Sequence, residues 1–192
     1  MKESLLFLSI ALFVVILAGC GQEAPEPDAP RPEPTSADPA TPQKEDTMKL
    51  TSPEFDDGGS IPSVYTCDGR NVSPPLGISD VPAGAESLAL VVDDPDAPGR
   101  TFDHWIVWNI APDTTEIPEG QQPQGSPGKN DFGDLTYGGP CPPSGTHTYR
   151  FKLYALDTEL DLAKGSSKEQ LEQAMEGHIL EEDLLEGNYS RQ

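Results

Sequence analysis

Two of the three histidines in this chain stand at the ends of rigid, proline-rich loops. Asp94, Pro95, Asp96, Ala97 and Pro98 lead to Asp103, His104 and Trp105. Tyr137, Gly138, Gly139, Pro140, Cys141, Pro142 and Pro143 lead to His147 and Tyr149. A carboxylate, two imidazoles and a phenol brought together would make a small polar pocket suited to an oxyanion. Each imidazolium offers two N–H donors and Tyr149 a hydroxyl, and a nearby Asp94 would favour the charged imidazole by raising its pKa. Main-chain N–H groups at Gly138 and Gly139 could also approach a ligand closely, since glycine has no Cβ. The plainer alternative is that Asp94 and His104 merely tie loop to strand.

The same groups admit other chemistry. Asp94, His104 and His147 are a donor set for a metal ion, or an acid/base set for an enzyme. Ser144, however, lacks the G-x-S-x-G elbow of a nucleophilic serine, and no phosphate-cradling Walker loop occurs. The reading therefore assigns no catalytic residue, metal or cofactor, and expects a binding protein rather than an enzyme.

Positioning these residues requires strands. Ser87 to Asp94, His104 to Ala111 and Thr146 to Asp157 are rich in Val, Ile, Tyr, Phe and Leu and are bounded by Pro, Gly and Asp. Lys49 to Phe55, Leu76 to Val81 and Leu185 to Tyr189 fit peripheral strands, and Asp113 to Asp134 reads as structured loop. With 21 prolines and 18 glycines, the chain favours a mostly β fold, a sandwich, over any helical class. One helix is expected, with Ser166 and Glu169 as a capping box and Leu171, Ala174, Met175, His178 and Ile179 along one face. On that face His178 reads as a core or helix-end histidine.

Alternation along strands then predicts which groups meet. His147 and Tyr149 extend the row of Phe151, Leu153 and Ala155. Asp94 continues Leu88, Leu90 and Val92, and His104 heads Ile106, Trp108 and Ile110. If the strands ending at Asp94 and starting at His104 are antiparallel neighbours, Asp94 lies opposite His104.

Residues 1–20 read as an export signal. An apolar stretch of about fourteen residues, too short to span a membrane comfortably, ends at Leu17, Ala18, Gly19 and Cys20. The small residues before Cys20 resemble a bacterial lipobox, which makes Cys20 the lipidation site. Residues 21–47 hold seven prolines and no large apolar residue, a composition that cannot bury a core and suits an extended tether of at most roughly 80 Å. Residues 48–192 remain for one domain. The expected location is the extracytoplasmic face of a bacterial membrane, with the bilayer as a partner through Cys20. A formal charge of −21 argues against nucleic acid. With Cys20 lipidated, Cys67 and Cys141 are the pair left for a bridge, which an oxidising exterior permits if the two lie within about 7 Å.

The blocks from Asp94 to His104 and from Tyr137 to Phe151 resemble the two signature regions of the phosphatidylethanolamine-binding protein family, which includes Raf kinase inhibitor protein. The stretches from Tyr65 to Leu76, Asn130 to Gly133 and Gly177 to Arg191 resemble its bacterial and archaeal branch, the Raf kinase inhibitor-like proteins. The resemblance spans about Met48 to Arg191. It implies a Greek-key antiparallel β-sandwich with one or two peripheral helices, and a pocket that accepts a small phosphorylated or carboxylate anion. By motif position it implies Asp94, His104, His147 and Tyr149 as pocket residues, with Pro95, Gly139, Pro142 and Pro143 in the walls. The chain departs from animal members at Phe102, where they carry Trp, at Cys141, where they carry a second loop glycine, and in a shorter loop from Tyr137 to His147. Some relatives inhibit kinases or serine carboxypeptidases, so for an exported chain an exported protease is a further partner to consider.

Overall fold

The computed structural model describes residues 47–191. The expected export signal, Cys20 and the tether up to residue 46 lie outside the described residues. In chain order the elements are β1 (Lys49–Thr51), β2 (Gly59–Ser60), a 3-10 turn (Ser63–Tyr65), β3 (Leu76–Ser79), β4 (Ser87–Asp94), β5 (Phe102–Ile110), β6 (Glu116–Ile117), β7 (Ser126–Pro127), β8 (Thr146–Leu156), α1 (Lys168–Met175) and β9 (Ile179–Ser190).

Six strands form one sheet in the order β2-β9-β8-β4-β5-β7, and three form a smaller sheet, β1-β3-β6. The expected mostly β sandwich is therefore present, with one correction. The pairing of β2 with β9 is parallel, so the large sheet is mixed rather than wholly antiparallel. The β4–β5 and β8–β9 pairs are antiparallel, and a crossover sets β8 beside β4.

Strand β4 is buried at all eight positions, because it has strands on both sides and apolar residues on both faces. On one face, Leu88, Leu90 and Val92 join Tyr149, Phe151 and Leu153 of β8 against Leu50, Leu76, Ile78 and Ile117 of the small sheet. On the other, Ala89 and Val91 join Ile106, Trp108 and Leu156 against Leu171 and Met175 of α1.

Several elements differ from expectation for local reasons. Strand β1 stops at Thr51, ahead of Pro53, and β3 stops at Ser79, ahead of Asp80 at φ 55°. Strand β9 begins at Ile179, well before Leu185. Its first half is hidden in the sequence by Glu181, Glu182 and Asp183. Two of these carboxylates act as backbone partners for β1: Glu181 accepts from the Met48 N–H at 2.8 Å and Asp183 from the Leu50 N–H at 2.7 Å.

The helix is capped by Ser167, not Ser166. The Ser166 hydroxyl donates back to the Ala163 carbonyl, leaving Ser167 and Gln170 to form the reciprocal capping box. Gly177, at φ 81°, follows the helix end. His178 is consequently outside the helix and exposed, and its Nδ1 donates to Asp157 at 2.8 Å. It is not part of the core.

Strand β5 departs from simple alternation twice. Val92 pairs with Trp105 and Asp93 with Asp103, so His104 is an extra residue in a β-bulge. A second irregularity between Leu88 and Leu90 falls at Asn109, which adopts φ 54°. Asn109 is held there by the Leu160 backbone, donating to its carbonyl and accepting its N–H. These bulges correct two expectations. Asp94 lies opposite Phe102 rather than His104, and His104 does not share a row with Ile106 and Trp108, which face α1. The bulge instead turns His104 toward Tyr149, with ring centroids 5.2 Å apart.

Candidate functional site

A cavity of about 210 Å³ opens at the end of the sandwich where β4 ends and β5 and β8 begin. Asp94, His104 and Tyr149 line it, together with Ala97, Pro98, Phe102, Phe132, Cys141 and Pro143. This is smaller than the roughly 300–1,000 Å³ of pockets for drug-sized ligands, which limits the occupant to a small group.

Asp94 is pinned on both oxygens. Oδ1 accepts the Asp96 N–H at 2.9 Å, and Oδ2 accepts His147 Nδ1–H at 2.7 Å. His147 is buried and does not line the cavity. It orients Asp94 from behind, with its ring stacked 6.5 Å from Tyr149. Asp96 in turn accepts the Thr148 N–H, so the Asp-Pro-Asp turn clips the start of β8.

His104 Nδ1 lies 2.7 Å from the Gly138 carbonyl. A carbonyl only accepts, so Nδ1 carries the proton and Nε2 is left for the cavity. Burial lowers the His104 pKa below its usual value and outweighs the opposing effects of the Gly138 carbonyl and of Asp94, Asp103 and Asp131. Asp94 favours the charged imidazole, as expected, but burial outweighs it. The cost of burying the imidazolium charge thus exceeds the attraction of the surrounding carboxylates.

Tyr149 is fully buried. Its hydroxyl lies beside the Asp94 carboxylate and the Cys141 amide. Burial, followed by the Asp94 charge, pushes its pKa well above the usual phenol value, so it keeps its proton.

The loop glycines serve packing rather than a ligand. Gly138 N–H donates to the His104 carbonyl and Gly139 N–H to Asn71 Oδ1, which corrects the expectation that these amides face the pocket. A Cβ on Gly138 would fall 2.4 Å from the Phe132 ring, and one on Gly139 would fall 2.5 Å from the Tyr65 carbonyl. Of the expected wall residues, Pro143 lines the cavity, whereas Gly139 and Pro142 are buried behind it and Pro95 is exposed beside it. Cys67 and Cys141 are bridged, with Cα atoms 5.4 Å apart, and the bridge ties this loop to the 65–71 segment.

Phe132 was not singled out by sequence reasoning as a site residue. It sits on the Asn130–Gly133 turn, closed by Gly133 N–H to the Asn130 carbonyl, and packs edge-on against Phe102 at 4.9 Å and His104 at 5.4 Å. The turn is anchored from two sides. Asn130 donates to the His104 and Thr136 carbonyls, and Asp131 accepts Arg100 and the Asp103 N–H. At 48 % exposure, Phe132 forms the outer wall of the cavity. An aromatic residue inside a turn was the available signal.

Sequence reasoning also passed over Asp93. It is fully buried and accepts Arg150 at 2.8 Å, Lys152 at 2.7 Å and Lys168 at 3.2 Å. Lys168 also pairs with Asp103, one residue before the bulge. Among the described residues, no group of three or more His, Cys, Asp or Glu side chains is arranged to hold a metal ion.

The family model described as phosphatidylethanolamine-binding protein matches residues 51–190. A UPF0098 protein of Methanothermobacter thermautotrophicus is 55% identical over 150 residues, covering 75% of this chain and 99% of that protein. A UPF0098 protein of Chlamydia muridarum is 46% identical over 149 residues, covering 75% and 99%. Among solved structures, the phosphatidylethanolamine-binding protein homologue CT736 of Chlamydia trachomatis is similar with a TM-score of 0.75 and 43% identity, covering 77% of this chain and 99% of its own. E. coli YbcL, described as a member of the mammalian PEBP family, gives 0.71 and 33%, covering 76% and 99%.

Proposed function

Because the chain belongs to the phosphatidylethanolamine-binding protein family, we propose that it is a ligand-binding protein whose cavity at Asp94, His104 and Tyr149 captures the head of a small phosphorylated or carboxylic acid. The observation that carries this is the convergence of Asp94, His104 and Tyr149, from three different strands, on one small cavity walled by Phe102, Phe132 and Pro143. His147 contributes by fixing Asp94, and Phe102, Phe132 and Pro143 enclose the remainder of the ligand.

The proposed setting is the outer face of a bacterial membrane, with Cys20 lipidated and residues 21–47 as tether. The lipobox-like run before Cys20 supports this, as does the Cys67–Cys141 bridge, a linkage characteristic of oxidising compartments. Calorimetric titration of phosphate, phosphoethanolamine and acetate into the wild type and His147→Ala tests the pocket. Binding by the wild type and its loss in the variant are expected. No binding by the wild type between pH 5 and pH 7 would overturn the proposal.

A further inference from the structure

Strand β9 carries an open edge. It lies between β8 and β2 in the large sheet, but β2 is two residues long and pairs with it at Gly187 and Asn188. Backbone N–H and C=O groups alternate sides along a strand. The Glu186 N–H and C=O point away from β8, to Asp57 Oδ1 and the Gly58 N–H, and the Asn188 C=O points the same way, to the Ile61 N–H. By that alternation the N–H and C=O of Glu182 and Leu184 point outward too. Among the described residues, none of these four groups has a hydrogen-bond partner. Strand β1 does not close the edge, because its N–H groups at Met48 and Leu50 bond to the Glu181 and Asp183 carboxylates.

Both flanks of this edge are hollow. On one, a cavity of about 230 Å³ is lined by Leu50 of β1, Phe55, Asp56, Asp57, Asp183 and Leu184. On the other, a cavity of about 510 Å³ is lined by Tyr154, Glu182 and again Leu184. Leu184 is 44 % exposed between them. Charged side chains at an edge deter strand pairing. Two copies of so acidic a chain, with a formal charge of −21, would set Glu182 and its neighbours against their own kind. The same carboxylates attract a strand of opposite charge.

We infer that this edge is a docking site for an extended cationic segment of another protein, added antiparallel to β9 through the main chains of Glu182 and Leu184. Alternate side chains of the added strand divide between the two cavities. The row facing Asp56 and Asp57 is Lys or Arg; Lys49, the cation at that cavity, is already paired with Asp183. The row facing Leu184 and Tyr154 is apolar. Arg150 and Lys152, which also line that second cavity, are held by Asp93 and disfavour a cation there.

A blocked peptide of alternating Lys and Val, titrated into the full-length protein and followed by amide exchange, tests this. Binding should protect the Glu182 and Leu184 amides and weaken as salt rises. The same peptide N-methylated at its Val residues, whose N–H groups face the edge, should bind at least about tenfold more weakly through lost hydrogen bonds. Leu184→Pro removes one outward N–H without touching the β8 ladder. Checked for folding by thermal unfolding, it should also weaken binding, as should Asp56→Lys. A Glu-Val peptide should not bind. No binding of the Lys-Val peptide at low salt, binding that leaves the two amides unprotected, or equal binding of the N-methylated peptide would overturn the inference. Protection of these amides before peptide is added would overturn it too. Protection that grows with protein concentration would assign the edge to a second copy, and protection independent of concentration to the chain's own residues ahead of residue 47.

Discussion

Asp93 and Asp94 are adjacent in sequence and project to opposite faces of β4. Asp93 accepts from Arg150, Lys152 and Lys168 on the face toward α1. Asp94 accepts from His147 and the Asp96 amide at the cavity floor. Strand alternation separates the two, so one carboxylate is neutralised by three cations while the other lies at the cavity.

Removing Asp93 should affect stability strongly. Asp93→Ala strands three cations around a buried site, and a loss of about 3–5 kcal/mol is expected, measured by urea unfolding at pH 7.

The same carboxylate predicts a pH dependence. Burial opposes its ionisation, but hydrogen bonds from Arg150 and Lys152 outweigh that cost and hold its pKa below the ordinary value. A pKa lowered by folding gives stability that is present above the unfolded value of about 3.9 and is lost as pH falls through the folded value. Urea midpoints should therefore fall below about pH 4 in the wild type. In Asp93→Ala the Asp93 part of that fall should disappear.

His147→Ala should remove a buried hydrogen bond to Asp94 and cost about 1–3 kcal/mol. Because His147 orients Asp94 without lining the cavity, the variant should remain folded while binding of phosphoethanolamine is lost. Circular dichroism and calorimetry on the same sample would check both. Unchanged binding would show that Asp94 does not depend on its partner.

Phe132→Ala should separate binding from folding in another way. The ring is half exposed, so the lost aromatic contacts with Phe102 and His104 should cost only about 0.5–1.5 kcal/mol each. Binding of a phosphate ester should weaken, while inorganic phosphate, which does not reach the outer wall, should bind as before.

The Cys67–Cys141 bridge closes a loop with a sequence separation of 74, worth on the order of 4 kcal/mol in the chain-entropy model. A Cys141→Ser variant should unfold at correspondingly lower urea. The pocket loop should nevertheless stay in place, because Gly138 N–H, Gly139 N–H and the Tyr137 hydroxyl still bond to the His104 carbonyl, Asn71 and the Tyr65 carbonyl. Amide exchange across residues 137–141 would test this.

Much of the site was legible because its residues are local. The Asp-Pro-Asp turn and the Gly-Gly-Pro loop announce rigid connections, and the apolar runs beside them announce strands. Alternation alone placed Tyr149 on the row of Phe151 and Leu153, which the structure bears out. It failed for His104, because a β-bulge inserts one residue and reverses the faces that follow. Strand β9 was only half visible, since Glu181 and Asp183 read as solvent-facing although their carboxylates serve the backbone of β1.

The sequence by itself determined the class of the fold, the loops that carry polar groups and the family motifs, because turn chemistry and strand composition act over a few residues. Tertiary structure decided which atoms face the cavity and in what state. Burial, which depends on every strand around it, lowers the His104 pKa against three nearby carboxylates. Packing puts His147 behind Asp94 and the loop glycines against Phe132 and Tyr65. The two histidines foreseen as facing a ligand are, once folded, held by the protein itself, His104 by the Gly138 carbonyl and His147 by Asp94.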